Sequence, residues 1–422
     1  ISASGCEVTP LPFSSEQNAS GFRWPHFLPD GRHFLVNDRV DGVFLAALDG
    51  REIRKVSTID SRVEYADGHL FFGRKGNLFA QRFDEQTRTL SGEPFRIAEN
   101  LGLSGGDVSN YAFSVSPRGT IVYCNSQLHP TTQLTWFSRG GERLGSVGDP
   151  SATIGLAVSP SGRQVVLNRF DPSLGGFNLW LVELATGVTS RFTSGSGPLP
   201  LSAGTPVWFP TGDRVLFRSF PGVATQSLRG GEPEKLSDES GFPMDVSPDG
   251  RYALMLKGDP TTGNDLWLLT LTGQKSSQSF LATKQNEGVA RFSPDGRWIA
   301  YTSDDMETSG VYVQSFPEKG RPTPIATKGG ILPQWRKDGK ELYFLSPEDH
   351  LMAAAVDGAG PVFQASRPEP LFKVQTPTRG LLSQYQPSDD GQRFLVNVLT
   401  EETSTPRTLT VVMNWPSLVK KK

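Results

Sequence analysis

Short apolar segments alternate with polar turns along nearly the whole chain. In residues 289–326, VARF precedes a polar turn, and WIAYT, VYVQSF and PTPIA follow it. Such segments are rich in β-branched and aromatic residues and are bounded by Gly, Pro, Asp and Ser, which is typical of strands. No stretch keeps a 3.6-residue apolar period over a dozen residues. The pattern therefore predicts an all-β chain in which helix is nearly absent.

One turn, Ser-Pro-Asp-Gly-Arg, recurs between the first two segments of each group. It is cleanest at Ser247–Arg251 and Ser293–Arg297. In such a turn Pro presets φ, Asp bonds the local backbone and Gly accepts a positive φ, so each copy predicts a tight hairpin. The turn glycines recur every 37 to 52 residues, at Gly31, Gly68, Gly119, Gly162, Gly212, Gly250, Gly296, Gly339 and Gly391. A four-stranded propeller blade needs roughly 40–45 residues, so the repeat predicts nine blades.

The two ends of the chain predict how the ring closes. After the ninth turn only Arg393–Val398 and Leu409–Asn414 resemble strands, while Cys6–Leu11 precedes the first unit and has no blade of its own. Closing the ring would protect strand edges that otherwise invite aggregation. We therefore expect a single closed β-propeller domain over residues 1–422, with residues 6–11 completing a last blade at residues 384–415.

The blade count has an alternative. Nine blades exceed the usual range of four to eight. The unit at Gly68 has the poorest first strand, and eight blades follow if one unit is an insertion. In the third unit, Leu134–Phe137 occupies the place of the third strand, with Trp136 inside it.

Composition excludes several classes of partner. Lys and Arg number 42 and Asp and Glu 44, for a net charge of −2, so the chain has no basic footprint for nucleic acid. No segment approaches 18 apolar residues, which predicts no membrane insertion within this chain.

Pairing of the two cysteines, Cys6 and Cys124, is left open. Because the sequence begins at Ile1 without Met or a signal peptide, we expect it to be excised from a longer protein.

Residue patterns for catalysis are missing from the sequence. Gly195-Ser196-Gly197 lies in a polar loop and is not a nucleophile elbow. The histidines are scattered without a metal-ligand spacing, and the carboxylate pairs Asp304-Asp305 and Glu348-Asp349 lie in loops. The sequence predicts no catalytic residue, no cofactor and no metal site.

The repeat allows one positional prediction. Just before each turn, one position is apolar in most units and should pack between blades: Phe27, Val115, Val158, Trp208, Val246, Phe292 and Trp335. The position before it is mostly polar and lies on the opposite side of the innermost strand. A blade buries both faces, so a repeated polar position suggests the central channel. The predicted channel-lining residues are His26, Asp245, Arg291, Gln334 and Gln386.

At this point the residues carry a resemblance. FSPDGRWIAYTS at Phe292–Ser303 and SPDGRYALM at Ser247–Met255 resemble the WD-repeat-like propeller of the TolB type. Other segments are similar to the C-terminal sensor propeller of membrane-anchored bacterial serine/threonine protein kinases of the eukaryotic-like type: Arg23–Pro25, Phe27–Phe34, Leu78–Phe83, Leu134–Phe137, Gly140–Gly145, Val188–Thr193 and Thr408–Trp415. The resemblance implies a kinase domain and a membrane anchor before Ile1, and an extracytoplasmic location for the ring.

These observations lead to one functional expectation and two alternatives. We expect a non-catalytic, monomeric propeller that binds a protein, peptide or small molecule, as the sensor region of such a kinase. The first alternative is a soluble periplasmic TolB-like scaffold for protein–protein contacts. The second is the propeller of a prolyl-oligopeptidase-type hydrolase, or a propeller glycosidase or lactonase.

Overall fold

The structure of the chain is a computed structural model. It describes residues 22–38, 41–102, 110–117, 119–125, 130–171, 176–193, 204–219, 222–304, 309–378, 380–400 and 408–415. These residues form strands, turns and bends but no α-helix, so the all-β prediction is confirmed. None of them belongs to a helix long and apolar enough to cross a bilayer.

The chain divides into two compact units. Unit 1 comprises residues 1–128 and 405–422, and unit 2 comprises residues 129–404. The prediction of a single domain over residues 1–422 stays a prediction. The strands of unit 1 are β1 (Arg23–Phe27), β2 (His33–Asp38), β3 (Gly42–Ala47), β4 (Ile53–Ser57), β5 (Val63–Ala66), β6 (His69–Arg74), β7 (Asn77–Asp84), β8 (Thr89–Ala98), β9 (Phe113–Val115), β10 (Ile121–Asn125) and β36 (Thr408–Val412).

Unit 2 contains the remaining strands. They are β11 (Thr132–Ser138), β12 (Arg143–Ser151), β13 (Thr153–Val158), β14 (Gln164–Asp171), β15 (Gly176–Glu183), β16 (Thr189–Arg191), β17 (Gly204–Trp208), β18 (Arg214–Ser219), β19 (Gly222–Ser227), β20 (Glu234–Ser237), β21 (Phe242–Val246), β22 (Tyr252–Asp259), β23 (Gly263–Thr270), β24 (Ser277–Leu281), β25 (Glu287–Phe292), β26 (Trp298–Ser303), β27 (Gly310–Ser315), β28 (Thr323–Ala326), β29 (Ile331–Trp335), β30 (Glu341–Leu345), β31 (His350–Asp357), β32 (Gln364–Ala365), β33 (Glu369–Lys373), β34 (Tyr385–Pro387) and β35 (Arg393–Leu399).

These strands form nine antiparallel sheets in the described residues, and each of the nine predicted turns joins the first two strands of one sheet. The turn at Ser247 shows why the motif recurs. The Gly250 N–H donates to the Ser247 carbonyl at 2.8 Å, and Gly250 has a φ of +72°. The Ser247 hydroxyl donates to Asp249 at 2.5 Å and accepts from the Tyr252 N–H at 2.9 Å. The same set of side-chain bonds recurs in the turns that begin at Ser293 and Ser388.

Two sheets are assembled differently from the prediction. From the sequence, β11 is expected as the third strand of the third turn repeat, next to β10. Instead it pairs with β35 over seven residue pairs and is followed by β12, so the last sheet has the order β34-β35-β11-β12. β36, expected in the last blade, instead pairs with β10 in the sheet of β9. Residues 6–11, predicted to complete the last blade, lie outside the described residues. The turn motif determines only the hairpin, so it does not determine which later strand joins that hairpin.

The innermost strands of unit 2 follow one another in a cycle. β13 contacts β17, β17 contacts β21, β21 contacts β25, β25 contacts β29, β29 contacts β34, and β34 contacts β13. At this last step the Leu156 N–H donates to the Ser383 carbonyl at 3.0 Å, and Asn397 Nδ2 donates to the Thr153 carbonyl at 2.9 Å. The cycle thus returns to its first sheet through the strands that β11 joins.

Apolar side chains fill the spaces between neighbouring sheets. Most of the residues predicted to pack there belong to hydrophobic clusters: Val115, Val158, Trp208, Val246, Phe292 and Trp335. Phe27 in unit 1 does not, since it is 52% exposed and contacts the ring of Phe34 at 5.5 Å between centroids.

Candidate ligand-binding cavity

A cavity of about 730 Å³ lies in unit 2 among the innermost strands and the turns that follow them. Its size is within the range of small-molecule pockets, roughly 300–1,000 Å³. One residue from each of the six innermost strands of the cycle lines it, at the repeated position singled out in the sequence: Ala157, Val207, Asp245, Arg291, Gln334 and Gln386. The structure thus brings four of the five predicted channel residues together around one cavity.

The fifth predicted residue, His26, lies on β1 of unit 1. Its Nε2 atom is 3.3 Å from the Tyr65 carbonyl oxygen. Burial lowers its pKa, and the nearby Glu64 carboxylate offsets part of that effect. His26 therefore does not belong to the cavity of unit 2.

A β-bulge or register shift precedes the lining residue in most innermost strands. These irregularities lie at Thr153/Gly155, Gly204/Val207, Pro243/Asp245, Glu287/Ala290 and Ile331/Gln334. Bulges bend a strand and reorient side chains, and Pro is tolerated there because it lacks an N–H. Pro206, Pro243 and Pro333 occur at these irregularities, and Thr205 and Leu332 have positive φ values of 45° and 58°. The local sequence thus supports the irregular geometry.

The bulges also leave backbone carbonyl groups outside the strand ladder, and side chains of the neighbouring strand donate hydrogen bonds to them. Three side chains donate to such carbonyls on a neighbouring innermost strand, one from β25 and two from the start of β34: Arg291 Nη1 to Met244 O, Tyr385 Oη to Leu332 O at 2.9 Å, and Gln384 Nε2 to Ile154 O at 2.6 Å. Buried carbonyls need a partner, so these bonds compensate for the ladder bonds that the bulges interrupt. They also join consecutive sheets around the cavity.

Asp245 connects two sheets at the cavity wall. Its Oδ1 accepts from its neighbour, the Val246 N–H, at 2.9 Å, and its Oδ2 accepts from the Phe292 N–H on the next innermost strand at 2.8 Å. Burial raises the pKa of Asp245 to about 6, although Arg291 and these two N–H groups act in the opposite direction. The carboxyl group therefore titrates close to neutral pH.

Arg291 is held by backbone carbonyls rather than by a carboxylate. Its Nη1 donates to Met244 O and, at 3.0 Å, to Ala290 O. Burial lowers its pKa, and the charge of Asp245 opposes that shift. Among the described residues Nε and Nη2 have no acceptor, and neither atom is fully buried. One edge of the guanidinium is thus available to the cavity.

The two glutamines differ in their contacts. Gln334, 5% exposed, donates from Nε2 to the Ser383 hydroxyl at 2.9 Å. Gln386 is partly exposed, and its amide has no partner within the described part of the chain. It is therefore available to a ligand.

The recurring turns surround one mouth of the cavity. Three turn glycines lie against the proline of the preceding turn: a Cβ atom on Gly212 would be 3.6 Å from Pro160, on Gly296 3.5 Å from Pro248, and on Gly339 3.8 Å from Pro294. Lys337 reaches across this mouth, with its Nζ 3.4 Å from the Pro160 carbonyl oxygen and bonded to Asp389. At these three places the motif that forms the hairpin also packs it against the hairpin before it.

One residue of the polar row was missed by the sequence analysis. Glu64 on β5 of unit 1 accepts from the Val115 N–H at 2.7 Å, which repeats the bond between Asp245 and Phe292. The turn that follows Glu64 has only two residues, Asp67-Gly68. The other polar residues of the row lie five positions before their turn glycine, and the same count from Gly68 reaches Val63 instead of Glu64. The shorter turn was visible in the sequence and could have corrected the alignment.

The described residues contain no group of three or more His, Cys, Asp or Glu side chains arranged to hold a metal ion. Cys124 is a free thiol, and Cys6 lies outside the described residues. The arrangement at the cavity offers hydrogen-bond donors and acceptors for binding.

Comparison with known proteins supports the fold. No protein-family model and no curated protein sequence matches the chain. A TolB-type protein from Agrobacterium tumefaciens has a similar structure, with a TM-score of 0.51 and 16% identity over 64% of this chain and 99% of its own. At that identity the likeness shows the fold alone.

Two further solved structures are less similar. TolB from Acinetobacter baumannii has a TM-score of 0.42 at 14% identity, over 81% of this chain and 79% of its own. The β-propeller domain of Cps50 (Swd1) from Myceliophteria thermophila has a TM-score of 0.38 at 16% identity, over 68% and 93%. The likeness to the Agrobacterium tumefaciens protein indicates a fold of the TolB propeller type.

Proposed function

We propose that this chain is a non-catalytic binding propeller, in which the six sheets of unit 2 are the blades of a closed ring and the cavity takes a ligand. The observation that carries the proposal is the row of lining residues, one from each innermost strand, in which Arg291 and Gln386 keep free hydrogen-bonding groups. Concave sites with a few convergent polar groups are the usual ligand sites of proteins. The likeness to TolB-type propellers fits a scaffold without enzymatic activity.

The biological setting is a further part of the proposal. We propose that this chain is the sensor region of a membrane-anchored bacterial serine/threonine kinase and is located outside the cytoplasm. The support is the ordered set of sequence segments that resemble such sensors, among them Leu78–Phe83 and Val188–Thr193. The gene sequence upstream of Ile1 tests this: a kinase domain and an apolar segment of membrane-spanning length are expected, and an adjoining hydrolase domain would contradict it.

A thermal-shift screen tests binding at the cavity. We expect at least one member of a library of peptides and small metabolites to raise the melting temperature, because a ligand of the native state stabilises it. Gln386→Trp should abolish the shift by filling the cavity, while Val362→Trp, at a position 67% exposed elsewhere in unit 2, should leave it unchanged. A library without any stabilising member, or equal shifts in both variants, would refute the proposal.

A further inference from the structure

The cavity has two chemically different sides. In the order of the cycle, Ala157 and Val207 lie on neighbouring strands and are apolar, and Arg291, Gln334 and Gln386 lie on three strands in a row. A ligand that fits this arrangement has one apolar and one polar end. The inference that follows rests on the proposed binding function.

The polar side of the cavity contains a cation, Arg291, that is not in direct contact with a carboxylate of the described residues. Arg291 donates from Nη1 to two carbonyls, and its Nε and Nη2 have no acceptor among the described residues. The Nε–Nη2 edge of an arginine is the edge that binds a carboxylate through two parallel hydrogen bonds. Asp245 does not fill this role, because both of its oxygens accept from backbone N–H groups.

The remaining charges indicate which anion fits. The lining contains three acidic and three basic residues, so the cavity carries no excess positive charge: Asp245, Asp389, Asp390, Arg291, Lys337 and Arg393. A polyanion would find no net positive charge to balance its own charge, whereas a single carboxylate needs only one cation and a neutral donor such as the Gln386 amide.

We propose that the cavity binds a carboxylate that carries an apolar group, with the carboxylate at the Nε–Nη2 edge of Arg291 and the Gln386 amide, and the apolar group against Ala157 and Val207. The carboxylate can belong to a small organic acid or to the C-terminus of a peptide. The chemistry of recognition is the same for both.

Titration calorimetry on the full chain with matched probes tests the inference. The probes are hexanoate and its neutral amide, for a small acid, and N-acetylleucine and its amide, for a peptide terminus. We expect at least one acid to bind about tenfold more tightly than its amide, the effect of one charge-assisted hydrogen-bonding contact. The acid that binds better identifies the source, and equal affinity of acids and amides would overturn the inference.

Variants assign the effect to the cavity. Arg291→Gln should remove the preference for the acids, and Arg291→Lys should remove most of it because lysine cannot form the paired bonds. Arg321→Gln makes the same charge change at an exposed site and should leave the preference intact. If the Arg291 variants do not fold, Gln386→Glu, which loses no hydrogen bond to the described residues, should weaken acid binding about tenfold by repulsion. An unchanged affinity in Gln386→Glu would contradict the inference.

Failure of this inference is distinguishable from failure of the proposed function. If the acids do not bind while the screen finds a ligand whose effect is lost in Gln386→Trp, the cavity binds ligands of another chemistry. If neither the acids nor any library member binds, the proposed function fails as well.

Discussion

At the scale of single residues, the glycine of the recurring turn has the clearest physical requirement. Gly296 has a φ of +71°, a conformation that costs an L-residue roughly 1–2 kcal/mol, and a Cβ atom there would make only ordinary contact with Pro248. Backbone conformation rather than crowding therefore makes this position a glycine. The sequence predicted this feature correctly because the turn chemistry is local.

Gly296→Ala should accordingly lower the free energy of unfolding by about 1–2 kcal/mol, while Gly296→Asn should cost less than half of that, since Asn adopts this conformation more readily. Urea unfolding followed by tryptophan fluorescence measures both. Gly140→Ala, at an exposed glycine without a positive φ, is the matched control and should be nearly neutral. Equal losses for Ala and Asn at Gly296 would show that steric contact dominates.

Asp245 gives a second prediction at this scale. Its folded pKa of about 6 lies above the ordinary value of 3.8, so between these values the folded state holds one proton more than the unfolded state. The contribution of Asp245 to stability is therefore present at low pH and is lost as the pH rises through about 6. Relative to Asp245→Asn, the wild-type chain should gain about 1 kcal/mol of unfolding free energy between pH 7.5 and pH 5.0. A difference that does not vary with pH would contradict the raised pKa.

At the scale of elements, the sequence predicts hairpins but not the pairing between strands that are distant in sequence. Hairpins such as β25–β26 followed from their turns, and counting from the turn glycines located the row that lines the cavity. The partners of β11 and β36 did not follow, because any strand with alternating apolar residues can extend a hairpin. The bulges before Asp245 and Gln334 were signalled only by Pro243 and Pro333.

Glu341 on β30 illustrates how the elements near the point of closure are held together. It accepts from Arg139, in the turn between β11 and β12, at 2.7 Å and from Arg336 at 2.7 Å, and the Tyr343 hydroxyl donates to it at 2.6 Å. Arg139 also donates to the Gly391 carbonyl at 3.1 Å. This network joins the last sheet to the sheet before it.

Glu341→Gln should therefore destabilise the chain by about 2 kcal/mol, because the side chain is only 14% exposed, Arg139 loses its counter-charge and Arg336 keeps only Asp338. Asp238→Asn is the control: its pair with Lys235 is largely exposed, and its loss should change the unfolding free energy by less than about 0.5 kcal/mol. Chemical denaturation of both variants measures the difference. Similar small effects would mean that the Glu341 network contributes no more than a surface ion pair.

At the scale of the whole molecule, the proposed ligand binding depends on unit 2 being a closed ring. Six sheets follow one another, and the cycle returns to β13 only because β11 and β12, near the start of the unit, join β34 and β35 near its end. The cavity is bounded by strands from both ends of this cycle, so the proposed binding site requires the closure. A chain in which β11 paired with β10 instead, as the sequence suggested, would leave β35 without this partner.

Disulfide trapping across β11 and β35 tests this closure most directly. Gln133 and Val398 are paired residues of the two strands, at a separation that a disulfide can span. In a background with Cys6 and Cys124 replaced by Ser, Gln133→Cys with Val398→Cys should cross-link under mild oxidation and raise the melting temperature. The out-of-register pair Gln133→Cys with Val396→Cys should cross-link far less. Mass spectrometry showing no cross-link in the first pair, or equal cross-linking in both, would contradict the closed ring.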